Sequence, residues 1–300
     1  MGTVNQKGII LLSTLFIVVL LSIIIFQYIY STTVESIVAG SQKEYIQNEI
    51  LLQSALAIGK AKALELANGP SFSETTLEIP VEEGGQGGEN QDTESNMNKT
   101  LSLKIKDETG KFNLNAPILA SSEGDRAFFR LQLERLLLIL SQKISGLSQH
   151  TSSLYQLVES RTKPFVSLRD LENASTKPGY ALIQNLERFF TVHHGTRINI
   201  ATAPIEVIQS LAPSLSEEDA NLLRQYFLSS KGPKNIQNIG KQVDRFTTLT
   251  SHAFLLEVEL KKGELGITIK ARYEILSNRK KAVLLLLERN LPKKVEMEKI

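Results

Sequence analysis

From Ile9 to Phe26 the chain is almost unbroken in its apolarity. Only the hydroxyls of Ser13, Thr14 and Ser22 interrupt it, and a helix satisfies such groups by bonding them back to its own carbonyls. A run of about 18 to 22 residues of this kind crosses the hydrocarbon core of a bilayer. Gln27-Tyr-Ile-Tyr30 follows, an aromatic interfacial belt. No proline occurs from Thr32 to Ala67. Apolar positions there recur at helical spacing: Val34, Ile37, Val38, then Leu52, Ala55, Leu56, Gly59, Ala63, Leu66 and Ala67. Asn68-Gly-Pro70 ends the run, because Asn or Gly takes the left-handed C-terminal position and proline cannot continue a helix. The pattern predicts one helix over Ile9–Ala67, about 88 Å long at 1.5 Å per residue. Its first half is apolar all round; its second half is amphipathic and packs on something in its own chain. Gly40 is a place where it can loosen.

Beyond the helix the period changes. Thr75–Val81 reads as a short strand. Leu101, Leu103 and Ile105 alternate with Ser102, Lys104 and Lys106, a half-buried strand. Between them, Glu82–Asn98 holds one apolar residue in a Gly-rich, acidic stretch and reads as a mobile, solvated loop. The middle is helical. Ser122 and Asp125 have capping-box spacing ahead of Phe128–Leu147. Ser167-Leu-Arg-Asp170 starts another helix, and Ala181–Phe190 a third. Pro204–Leu211 and Glu217–Leu228 form a helical hairpin. Its second helix is capped by Ser216 with Asp219, so Glu217, Glu218 and Asp219 read as dipole-complementing residues, not metal ligands. Strands return at Phe254–Leu260, Gly266–Ile275 and Ala282–Glu288, with turns at Lys261-Lys-Gly263 and Ser277-Asn278. No internal repeat is legible.

This order predicts an α/β chain: a long helix packed on an antiparallel sheet, with a large all-helical insertion between strands. The segments divide at 1–8, a leader; 9–30, the membrane part of the helix; and 31–116, the remaining helix and first strands. A helical insertion follows at 117–248, C-terminal strands at 249–290 and a tail at 291–300. Composition adds exclusions. The 300 residues contain no Cys and no Trp. Disulfide staples, thiol catalysis and Cys-ligated zinc are therefore out. A net charge of +2 is too small to argue for nucleic acid. No nucleophile elbow, zinc-protease helix or phosphate loop occurs. The adjacent His193 and His194 point different ways from neighbouring positions and read as loop residues.

Two asparagine-bearing elements remain. In Asp107-Glu-Thr-Gly-Lys-Phe-Asn-Leu-Asn115, Asp107 bonds nearby amides and Gly110 allows a positive φ. Asn113 and Asn115 satisfy loop backbone groups, while Phe112 and Leu114 enter a core. In Ile198-Asn-Ile-Ala-Thr-Ala-Pro204, which contains Asn199, Thr202 caps the next helix and Pro204 sits early in it. At the N-terminus, the polar octapeptide Met1–Gly8 carries one cation, Lys7, and ends in glycine directly before the apolar run. No small-residue signal-peptidase site follows. That layout resembles the leader of type IV pilins and type II secretion pseudopilins, which is cut after the glycine and leaves Ile9 first. A plain single-pass anchor is the alternative from these residues alone.

Taken with Pro164-Phe-Val-Ser-Leu-Arg-Asp-Leu171, these elements in this order resemble the minor pseudopilin K family of the type II secretion system. Ser13 agrees: most pilins and pseudopilins carry a glutamate at this fifth mature position, and the K family lacks it. A carboxylate in lipid needs a cation, which the N-terminal amine of the next subunit supplies. A subunit without one suits a tip position. The chain departs from the family in starting its mature part with Ile9 and in lacking a Trp-bearing segment in the helical block. The resemblance implies a structural, non-enzymatic subunit at the tip of a secretion pseudopilus, working in protein export across the outer membrane. It implies a single pass through the inner membrane with most of the chain in the periplasm. The implied partners are minor pseudopilins I and J, the inner-membrane assembly platform and the processing prepilin peptidase, with no nucleic acid. No cofactor is expected; some relatives bind calcium, but no Asp-x-Asp loop carries that over. A membrane-tethered, competence-like nucleic-acid binder is the competing reading. The hairpin Ala212-Pro-Ser-Leu215 counts against it, since such modules use a Gly-rich hairpin.

Overall fold

The computed structural model describes residues 6–68, 74–80, 99–193, 195–213, 215–262, 265–276 and 281–290. The chain divides into two compact units, Met1–Gln53 and Ser54–Ile300. One helix, α1 (Gln6–Asn68), runs through the first and opens the second. It is unbroken at Gly40, where a Cβ would meet nothing within 4 Å. A lone glycine costs only about 1 kcal/mol of helix propensity, too little to open a helix bonded on both sides. In the first unit every side chain from residue 11 to 43 is exposed. Val34, Ile37 and Val38 therefore do not join the packing stripe that their spacing suggested. Thr14 donates to the Leu11 carbonyl at 2.9 Å and Ser22 to that of Val18 at 2.8 Å, as a hydroxyl in an apolar helix must. Among the described residues α1 is the one helix long and apolar enough to cross a membrane.

In the second unit α1 continues as residues 54–68. Ala55, Gly59, Ala63 and Ala67, four apart, are buried and form a stripe of small side chains. A Cβ on Gly59 would lie 3.0 Å from both Leu103 and Leu256, so the stripe lets the helix axis approach the sheet closely. That sheet has five antiparallel strands: β1 (Glu74–Pro80), β2 (Lys99–Asp107), β7 (Ala253–Lys262), β8 (Leu265–Ile275) and β9 (Ala282–Asn290). Its order is β1-β2-β7-β8-β9. In register, Leu103 faces Val258 and then Ile269; Ile105 faces Leu256 and then Ala271. These residues share the helix side because strand side chains alternate with period two. The opposite side carries Lys104, Lys106, Glu257, Glu259, Lys270 and Arg272. The predicted loop Glu82–Asn98 and the turn residues Gly263, Ser277 and Asn278 lie outside the described residues. Lys261 and Lys262 remain within β7.

Residues 108–252 stand between the neighbouring strands β2 and β7. The expected single sheet with an insertion between its strands is the fold observed; the insertion, expected to be all-helical, also holds two pairs of two-residue strands. The lobe has an apolar core of its own, from Phe112 to Phe246. It contains β3 (Phe112–Asn113), α2 (Ala116–Leu119), α3 (Glu123–Lys143), α4 (Thr151–Ser160), a 3-10 turn at Leu168–Asn173, α5 (Tyr180–Leu186) and β4 (Phe190–Thr191). Then come β5 (Ile198–Asn199), α6 (Ile205–Gln209), α7 (Glu217–Ser229), α8 (Lys234–Val243), a 3-10 turn at Asp244–Phe246 and β6 (Thr247–Thr248). β3 pairs parallel with β4, and β5 with β6.

The lobe is therefore two similar modules, an internal repeat that the sequence did not reveal. Each opens on a two-residue strand ending in asparagine. Asn113 Oδ1 accepts from the Asn115 amide at 2.8 Å, and Asn199 Oδ1 from the Ala201 amide at 3.2 Å. Each continues through Ala-Pro into a short helix, then longer helices, and returns on a parallel strand. Parallel pairing needs such a crossover. The signature is short and offset by one residue between modules, and the helices between differ in length.

Local expectations fare unevenly. The Ser216–Asp219 capping box is complete. Ser122 accepts from the Asp125 amide. Ser167 caps a 3-10 turn, not an α-helix, its hydroxyl accepting from the Arg169 amide. The helix expected over Ala181–Phe190 stops at Leu186, since Phe190 is needed as a strand partner of Phe112. α4 and α8 were not foreseen.

Crowding at Gly59 is directly testable. Gly59→Leu would force a branched side chain between Leu103 and Leu256, and overpacking of this kind costs about 1–3 kcal/mol. Thermal unfolding of the detergent-solubilised chain is expected to show the loss, and an unchanged midpoint would contradict the close approach.

Candidate functional site

β2 ends on Asp107, and its carboxylate ties the strand end to two distant parts of the chain. Oδ1 accepts from the Thr109 amide at 2.8 Å. Oδ2 accepts from Thr202 Oγ1 at 2.6 Å, Ser251 Oγ at 2.7 Å and Asn199 Nδ2 at 3.0 Å. Asn199 Nδ2 also donates to Ser251 Oγ at 2.9 Å. One residue on, the backbone repeats the connection. Glu108 donates to the Ala253 carbonyl, and Thr109 Oγ1 accepts from the amides of His252 and Ala253. The Asn199 amide reaches the Thr109 carbonyl at 2.9 Å. The end of β2, the start of the second module and the start of β7 are thus bound together. Asp107, Asn199 and Ser251 are buried. An ionised carboxylate only accepts, so hydroxyl and amide donors from the other two segments are the chemistry it requires.

Gly110 serves close approach, not a positive φ: among the described glycines only Gly146 has one. A Cβ on Gly110 would lie 2.7 Å from Thr202 Oγ1 and 2.9 Å from the Ala203 nitrogen. Thr202 spends its hydroxyl on Asp107 and does not cap α6. Pro204 occupies the N-cap position of α6 instead of its first turn. Asn113 Nδ2 donates to the Gly195 carbonyl at 3.2 Å. Asn115 is used fully: its Oδ1 accepts from Phe165, and its Nδ2 donates to the carbonyls of Phe165 and Val192. Asp107, Gly110, Asn199 and Thr202 therefore meet at the root of the lobe, with Pro204 at its rim, whereas the bonds of Asn113 and Asn115 go elsewhere in the lobe. Gly8, Ile9 and Ser13 lie on α1 in the first unit, with Ser13 exposed. His193 donates its amide to Thr191 Oγ1; His194 lies outside the described residues.

A second buried carboxylate escaped sequence reading. Glu108 pairs with Lys111 through Oε1 and accepts from Thr191 Oγ1 at 2.9 Å through Oε2. Burial alone pushes its pKa up. The positive charges of Lys111 and Arg272, with the bonds from Lys111 and Thr191, outweigh that and hold it below the ordinary 4.5. Lys111, three residues on, is its one local partner; the others come from β4 and β8. Beside this cluster runs an open cleft of about 600 Å³, touching Asp107, Gly110, Thr202, Lys106, Lys270 and Glu257. Its charges answer one another: Glu257 meets Lys106 at 2.7 Å and Lys270 at 3.3 Å. A charged ligand would have to break those pairs. Among the described residues no group of three or more His, Asp and Glu can hold a metal ion. The arrangement is that of a joint between lobe and sheet.

No protein-family model matches the chain, and no curated protein matches it. Among solved structures, it is similar to a chain of the GspK-GspI-GspJ complex from the enterotoxigenic Escherichia coli Type 2 Secretion System. The TM-score is 0.56 at 16% identity, covering 84% of this chain and 99% of that one. The likeness is one of fold, and it agrees with the pseudopilin architecture of a long helix on an antiparallel sheet.

Three outcomes follow from the joint. Asp107→Ala strands three buried donors and is expected to cost about 2–4 kcal/mol of stability, read by chemical unfolding. Gly110→Ala drives a Cβ into backbone and is expected to cost about 1–3 kcal/mol in the same assay. Glu108 gives a pH signature. Its folded pKa lies below the unfolded one, so its contribution is complete above the ordinary 4.5 and is lost as pH falls through the folded value. Glu108→Gln should flatten the decline of unfolding midpoint on acidification; an unchanged slope would remove Glu108 from the account.

Proposed function

We propose that the chain is a minor, non-enzymatic pseudopilin of the K type, a tip subunit of a type II secretion pseudopilus. The observation that carries this is the shared fold. Its coverage, 84% of this chain, reaches well past helix and sheet into the lobe. The glycine-ended leader, Ser13 and the ordered asparagine elements support the same reading. Prepilin peptidase would cut between Gly8 and Ile9, and the new amine would be methylated. α1 would then hold the protein in the inner membrane through its exposed apolar length, with the remainder in the periplasm. Counterparts of GspI and GspJ, named with the matched chain in its complex, are the expected partners, along with the assembly platform. The buried carboxylates Asp107 and Glu108 are spent on holding the lobe to the sheet, which fits a scaffold more than a catalyst.

Processing and Ser13 are the tests. Intact mass and N-terminal sequencing of the membrane-extracted protein should show a chain beginning at Ile9 with a methylated amine. A start at Met1 or beyond Phe26 would sink the assignment. Ser13→Ala should leave secretion close to wild type, since no carboxylate is lost, whereas Ser13→Glu would bury a charge without an assured partner. A defect in Ser13→Ala as severe as deletion of the gene rules out the tip role for this position.

A further inference from the structure

The two edges of the sheet are built differently. β1 carries exposed Glu74 and Glu78 and ends on Pro80, which has no N–H; charges and proline are the usual guards of an edge. Among the described residues β9 pairs with β8 and with no other strand, and its central run is Ala282-Val-Leu-Leu-Leu-Leu287. That composition belongs to a strand covered on both faces. Here Val283, Leu284, Leu285 and Leu287 are 36%, 46%, 38% and 54% exposed. A register shift opposite Arg272 and Tyr273 sets Leu284 beside Tyr273, on the helix side, and Leu286 beside Arg272, on the other. Apolar side chains therefore emerge on both faces, flanked by the outer row of backbone N–H and C=O groups. Leu276, next to this strand, is exposed as well.

We infer that β9 is a docking edge completed by a strand from a different pilin-like chain anchored in the same membrane. This rests on the function proposed above and names the surface involved. The backbone row selects an extended strand: a helix or lipid would leave those groups without partners. One added strand of nine residues is a narrow contact beside the ~1,200–2,000 Å² typical of free proteins that associate stably, which favours an occupant already close by. A neighbour held by a helix such as α1 meets that need through effective concentration. A second copy is the competing occupant, and the crosslinks below tell the two apart.

The chain has no cysteine, so single-cysteine variants place a unique thiol. Full-length Val283→Cys, Leu284→Cys, Leu286→Cys and Leu287→Cys, with Thr76→Cys on β1 as control, would carry a thiol-reactive benzophenone in native membranes. Adducts would be mapped by mass spectrometry. The expected result is adducts from β9, and not from Thr76→Cys, to an extended segment of another membrane-anchored pilin-like chain. Contact residues there should shift by two for each two-residue step on β9. Leu285→Lys with Leu287→Lys should abolish recovery of that partner while leaving the thermal midpoint unchanged. Adducts to lipid only, to a second copy, to residues 291–300, or none at all, overturn the inference. If pseudopilin partners still co-purify with the lysine variant, the docking edge falls and the proposed function stands. If β9 pairs with a strand of an unrelated membrane-anchored chain, the edge stands as a strand-docking site, and both the function and the pilin-like identity of its occupant fall.

Discussion

A sheet interrupted between two adjacent strands survives only if both ends of the interruption are held together. In this chain one carboxylate does most of that holding. Asp107 closes β2, and the donors on its Oδ2 come from the middle of the lobe and from the approach to β7. Loop-closure entropy rises slowly with length, so the 108–252 insertion is tolerable provided its ends are fixed. Fixing them with a buried charge is costly in desolvation unless every lone pair finds a donor. Thr109, Thr202, Ser251 and Asn199 supply those donors. Gly110 supplies the space, because any Cβ there would push Thr202 away from the carboxylate.

The same economy of contact governs the other face of the sheet. Residues 54–68 of α1 present Ala and Gly where they meet the sheet, and the large side chains come from Leu103, Leu256 and their neighbours. Small against large is how a helix packs closely without voids. The polar side is organised differently. Lys106, Glu257 and Lys270 form a chain of ion pairs, and Lys270 extends at 3.8 Å to Glu187 of the lobe. Glu257 is held below the ordinary carboxylate range: burial raises it, but the bonds and charges of Lys106 and Lys270 outweigh that. An apolar core thus secures the helix, whereas hydrogen bonds and ion pairs secure the lobe.

Long-period features were the legible ones. The extent of α1, the alternation of Leu101, Leu103 and Ile105, and the three C-terminal strands all announce themselves through runs of five residues or more. The Ser216 cap was legible because its partner lies three residues away. Features that depend on a distant partner were not. Thr202 reads as a helix cap until Asp107 appears beside it, and Gly110 reads as a positive-φ turn until Thr202 and Ala203 close on it. Glu108 has Lys111 three residues on, but its burial and its bond to Thr191 leave no local mark. The repeat was hidden for a related reason: strands of two residues have no period, and only their parallel pairing reveals two modules. The end of α5 fell short of Phe190 because strand pairing with Phe112 overrode helical pattern.

Where local pattern and placement agree, a sequence specifies its own fold; where they disagree, something else is being specified. Two segments disagree here. Residues 11–43 of α1 include a long apolar stretch, yet all are exposed. β9 has the composition of an inner strand and stands at an edge. The lobe has no exposed apolar run of this kind: its phenylalanines and most of its leucines join one core from Phe112 to Phe246, and its exposed leucines are scattered. Burying the apolar length of α1 takes a lipid-like solvent, and covering β9 takes hydrogen-bonding backbone as well as apolar side chains. These are different demands, and no one surface meets both. The two are therefore separate requirements on what surrounds this chain.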